Sequence, residues 1–79
     1  MTPLTPALAA AIRKRRQEVG ISQEELADRA ELHRTYVSLI ELSKRHLTVE
    51  ALDKIARGLG VTASALLVEA ERATGRGRR

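Results

Sequence analysis

The 79 residues suffice for one small domain, and 43% hydrophobic with 30% charged residues is the composition of a folded chain rather than a disordered one. The absence of cysteine excludes a disulfide framework and a thiolate-bound zinc, and two separated histidines, His33 and His46, make no recognisable metal site. The formal net charge of +4 favours an acidic partner, nucleic acid first, and no apolar run approaches the roughly 20 residues that span a bilayer.

Taken in chain order, the sequence predicts short helices with clear punctuation and no β pattern, an all-α fold. The opening "TPLTPALAA" has neither the basic nor the uninterrupted apolar region of a signal peptide, so a cytoplasmic protein is expected. Thr5 followed by Pro6 predicts an N-cap with proline at the first helical position. Leu8, Ile12 and Val19 mark one face of this helix and Gly20 its end. Ser22-Gln23-Glu24-Glu25 has the form of a capping box, so a second helix starts at Gln23 with Leu26, Ala27 and Ala30 inward.

Glu31-Leu32 leaves a tight connection to a third helix over roughly 34–42, followed by the basic loop "SKRH". Thr48 caps a fourth helix carrying Leu52, Ile55, Ala56 and Leu59, closed by Gly60. Thr62 caps a fifth, "ASALLVEAER", and the expected domain covers 5–71 with a basic disordered tail over 72–79. Without Phe or Trp the core is built from Leu, Ile, Val and Ala; it is thin, and oligomerisation is a natural source of further stability.

The third helix carries the functional signal. At about 100° per residue, Val37 and Ile40 define its inner face with Glu41 beside it, while Thr35, Ser38, Leu39 and Leu42 point outward. Arg34 stands at the exposed start and Tyr36, the one aromatic of the chain, on a flank. A guanidinium, two hydroxyls and a phenol on one surface can meet base edges or phosphates. Each has a plainer alternative. Tyr36 can cover the core, Arg34 can be a free surface cation, His33 can simply occupy the helix cap, and Arg13-Lys14-Arg15 can be a solvated helix face.

"IRKRRQEVGISQEELADRAELHRTYVSLIE" followed by "LTVEALDKIARGLGVTASALL" resembles the lambda-repressor-like, XRE-type helix-turn-helix family over about residues 8–68. Within it, "HRTYVSLIE…KRHLT" resembles the controller proteins of restriction–modification systems. The resemblance implies a compact five-helix DNA-binding domain. It also implies base-reading roles for Arg34, Thr35, Tyr36 and Ser38, DNA-backbone contacts from Gln23 and Arg45, and a structural ion pair between Arg16 and Glu41; Ser22, His33 and Lys44, polar or basic beside them, are expected to add phosphate contacts. The fifth helix, with Leu66 and Leu67, becomes the dimer interface. Two departures stand out: Leu42-Ser43 replaces a polar pair that usually includes arginine, and Glu31 replaces the usual turn glycine.

The expectation is therefore a dimeric, sequence-specific transcription regulator of a restriction–modification operon, its own gene included. It would act on the nucleoid at a pseudo-palindromic duplex operator, with RNA polymerase as a candidate further partner and with no cofactor, metal or membrane. An antitoxin-type protein-binding module that also binds its own promoter is the alternative. Catalysis is not expected, since the chain lacks a cysteine nucleophile, a triad pattern and a glycine-rich phosphate loop.

Overall fold

The computed structural model describes residues 3–75. Five helices follow one another: α1 (Leu4–Val19), α2 (Gln23–Ala30), α3 (Arg34–Glu41), α4 (Val49–Leu59) and α5 (Ala63–Thr74). There is no strand among the described residues. α1 lies along α5, and α2 packs on both α3 and α4. Ile12, Leu26, Val37, Ile40, Ile55 and Leu66 are fully buried, so every helix gives at least one branched aliphatic side chain to a single core.

The helix starts follow from local hydrogen bonding. Ser22, Thr48 and Thr62 each accept an N–H three residues on, from Glu25, Ala51 and Ala65, all at 3.0 Å. The reciprocal half of the capping box at Ser22 is not formed, because Glu25 pairs with Arg29 at 2.9 Å instead. α1 corrects the expected start at Thr5-Pro6. It begins at Leu4, after an extended Pro3 that makes no side-chain cap. Leu4 packs against the core, and Pro6 then falls in the first turn, where a missing N–H costs no helical bond.

The helix ends share one device. Gly20, Glu31, Ser43 and Gly60 all have positive φ, and the next residue returns an N–H to a helical carbonyl: Ile21 to Arg16, Leu32 to Ala27, Lys44 to Leu39, Val61 to Ala56. At three of these ends the returning residue is apolar and packs inward. This explains why Val19 is 41% exposed although it continues the face of Ile12: α1 runs past the core edge, and the turn brings Ile21 back as the buried residue. α3 likewise ends at Glu41, one residue short of the expected 42, and its cap Leu42 is 56% exposed.

α5 continues through Arg72–Thr74 to a cap at Gly75, so the boundary expected at 71 falls inside a helix. The rest of the expected tail, 76–79, lies outside the described residues. Leu66 is 1% exposed within one chain and belongs to its core, which corrects its expected place at a subunit interface; Leu67 is half-buried. At Gly58, α4 approaches α2 so closely that a Cβ would stand 3.1 Å from Leu26 Cδ1. Arg29 reinforces that crossing by donating to the Gly58 carbonyl at 3.3 Å. α2, the 31–33 turn and α3 are thereby set as a helix-turn-helix.

Candidate nucleic-acid interface

The orientation of α3 is fixed from below by one guanidinium. Arg16 donates from Nε and Nη2 to the two carboxylate oxygens of Glu41, at 2.7 and 3.0 Å, and from Nη1 to the Ile21 carbonyl at 2.9 Å. The expected Arg16–Glu41 pair is formed, with Glu41's side chain only 2% exposed and Arg16's 13%. The hydrogen bonds to Glu41 hold the Arg16 guanidinium above its ordinary pKa, against the opposing effect of burial. α1, the α1–α2 turn and the end of α3 thus meet at one point.

Above this joint, α3 separates two open depressions. One is lined by Gln23, Arg34, Thr35, Ser38 and Leu39. The other is lined by His33, Thr35, Tyr36, Leu39 and Arg45. Arg34, Thr35, Tyr36 and Ser38 are therefore brought together on one face with Gln23, His33 and Arg45. Lys44 is set apart, in a third depression with Thr5, Pro6, Ser43, Arg45 and His46 beside the start of α1. Ser22 is exposed next to Gln23, with its oxygen engaged in the α2 cap.

Tyr36 is half-buried and spans the gap between α3 and the basic loop. Its hydroxyl donates to the His46 carbonyl at 3.3 Å, and the Arg45 guanidinium carbon lies 5.4 Å from its ring centroid, within cation–π range. Its ring packs against the core, as the plainer of its two sequence readings expects, and its outer side holds the Arg45 guanidinium. His33 occupies the N-cap position of α3 without a side-chain cap bond.

Leu39 was assigned no role by the sequence, yet it lines both depressions. Its outward position on the helix wheel was the available signal, and an apolar side chain there suits a thymine methyl group. The α1 cations are engaged elsewhere. Lys14 and Arg15 pair with Glu69 of α5 at 3.7 and 3.6 Å, which places that run on the α1–α5 face rather than with Arg34. No group of acidic, histidine or cysteine residues suited to a metal occurs among the described residues, and no helix there is long and apolar enough to cross a membrane.

A small helix-turn-helix that presents an arginine at the start of its second helix and a basic loop beyond it is built to meet duplex DNA. The helix-turn-helix family pattern matches residues 12–66. Control protein C.MunI of a Mycoplasma species is 41% identical over 58 residues, spanning 73% of this chain and 78% of that protein. The wild-type restriction-modification controller protein C.Esp1396I superposes with a TM-score of 0.85 at 34% identity, over 94% of this chain and 95% of that one. The clp gene regulator ClgR from Corynebacterium glutamicum gives a TM-score of 0.88 at 28% identity, over 94% and 79% respectively.

The chain belongs to the helix-turn-helix family. Within it, the chain is a DNA-binding regulator of the restriction–modification controller type, related to regulators rather than to enzymes.

Proposed function

We propose that the protein is a homodimeric, sequence-specific transcription regulator acting on a restriction–modification operon that includes its own gene. The observation that carries this reading is the pair of depressions flanking α3, with Arg34 in one and Arg45 in the other. Arg34 then enters the major groove at the helix start, and Arg45 follows the backbone or reaches an adjacent groove. Ser22, Gln23, His33 and Lys44 form the surrounding phosphate grip, and Thr35, Tyr36, Ser38 and Arg34 read bases.

Dimerisation is supported by the face of α5 that keeps Leu67 half-buried and Val68 44% exposed beside the groove along α1. A two-fold dimer would set two recognition helices about one DNA turn, ~34 Å, apart and so select a pseudo-palindrome. Action at the nucleoid, with RNA polymerase as a further partner, goes with this reading. The test is titration of the protein against a random duplex and the duplex upstream of its gene, each at two salt concentrations. Tighter binding to the upstream duplex and a steep salt dependence are expected. Equal affinity for both would leave only a basic surface.

A further inference from the structure

Glu41 is the one buried charged residue among the described residues, and its pairing with Arg16 does not exhaust it. The same Oε1 that accepts from Arg16 Nη2 at 3.0 Å also accepts from Gln23 Nε2 at 3.1 Å. An ionised carboxylate only accepts hydrogen bonds, so Gln23 must turn its NH2 group inward and not its carbonyl oxygen. That group has two hydrogens, and Glu41 uses one. Gln23 is the first residue of α2, half-buried, on the lip of the depression it shares with Arg34, Thr35 and Ser38.

We infer that Glu41 is a positioning residue for DNA binding: it holds the Gln23 amide so that the second N–H is presented at the surface to a backbone phosphate oxygen. This rests on the DNA-binding reading above and adds a cause to it. An untethered surface glutamine presents oxygen as readily as NH2 and must give up rotamer freedom when it grips a phosphate. Here the carboxylate has removed both the wrong orientation and most of that freedom before DNA arrives. Arg16, by fixing the carboxylate, links the packing of α1 to the polarity of a surface hydrogen bond 18 residues from Glu41 in sequence.

The experiment combines nuclear magnetic resonance of the wild-type side-chain amides with a double-mutant cycle. In the free wild-type protein, one Gln23 Nε2 proton should be protected and shifted by Glu41; on adding a short duplex, the other should move while the first stays. Gln23→Met should weaken binding to random and upstream duplexes alike by roughly 10-fold, as expected for one hydrogen bond to a charged group. Its salt slope should be unchanged, because a neutral amide displaces no counterion. Glu41→Gln, which keeps the shape, should weaken binding about 3- to 10-fold more in the wild-type background than in the Gln23→Met background, where the remaining loss reads the hold of Arg16 on α3, with affinities referred to titrated active protein.

Equal losses in both backgrounds would overturn the proposal, as would two Gln23 amide protons with the shifts and solvent-exchange rates of a free glutamine. The amide measurement needs no variant, so it decides even if Glu41→Gln fails to fold. A wild-type protein that binds neither duplex would remove the DNA-binding reading as well, which separates the two failures.

Discussion

Arg16 and Glu41, 25 residues apart in sequence, form a two-pronged ion pair with bonds of 2.7 and 3.0 Å, one side chain nearly and the other largely out of water. Removing one partner strands the other charge where water cannot compensate it. Glu41→Ala should therefore cost about 3 kcal/mol or more of unfolding free energy. Asp53→Ala, which breaks the exposed Asp53–Arg57 pair, should cost about 0.5 kcal/mol or less. Urea titration of both variants checks the contrast; similar midpoints would mean the pair is only a surface contact.

The pH dependence has a definite sign on the arginine side. A group whose pKa is raised by folding contributes its full stabilisation below its unfolded value and loses it only as pH rises through the folded one. For Arg16 that window lies at strong alkali. The stability difference between wild type and Arg16→Ala should therefore hold steady from pH 7 to about pH 9. A difference that shrinks steadily across that range, measured by denaturant unfolding, would show that another group controls it.

Glu31 sits at φ 57°, ψ 44°, in the left-handed region that disfavours a side chain. Glycine removes that strain but makes the unfolded chain more flexible, so the two effects partly offset. Glu31→Gly should stabilise by roughly 0.5–1 kcal/mol. Gly20→Ala, at φ 85° with nothing near the added carbon, should destabilise by about 1 kcal/mol. Thermal unfolding gives both signs, and a destabilised Glu31→Gly would mean the side chain makes a contribution its exposure hides.

Association should separate from folding along α5. Leu66→Ala opens the core and should cost about 2–5 kcal/mol. Val68→Glu places a charge on a side chain that is already 44% exposed, so it should leave the unfolding midpoint nearly unchanged while abolishing the proposed homodimer. Sedimentation at micromolar concentration reads the second effect. Unmodified protein that sediments as a monomer and still binds its operator would remove dimerisation from the proposal.

Much of this molecule was legible in the residues because its signals are local. Ser22, Thr48 and Thr62 cap with a hydroxyl three residues from the N–H they accept, and Gly20 and Gly60 announce left-handed turns. What was missed depends on three-dimensional competition. Thr5-Pro6 looks like a start, but burial of Leu4 moves the helix back. Leu66 and Leu67 are adjacent and chemically alike, and only packing decides that Leu66 fills the core. The double use of Glu41 by Arg16 and Gln23 joins three helices, so no spacing along the chain could reveal it.

The last prediction separates reading from gripping. Arg34 is exposed at the start of α3, where a guanidinium can donate two hydrogen bonds to a guanine edge, worth about 1–3 kcal/mol of discrimination. Arg34→Ala should therefore lose preference at one base pair of each half-site while non-specific affinity stays close to wild type. Arg45 is held against the Tyr36 ring from the loop side. If it touches only phosphate, Arg45→Ala should weaken all sequences alike and flatten the log–log salt slope by about 0.9. Tyr36→Ala should leave that slope intact, since the charge remains, but lower affinity because Arg45 loses its support. Tyr36→Phe keeps the ring and should fall between Tyr36→Ala and wild type. Competition of every single-base operator variant against these four proteins distinguishes the roles. Should Arg34→Ala retain the wild-type base preferences, the reading residue lies elsewhere on α3, with Thr35 and Ser38 next to be tried.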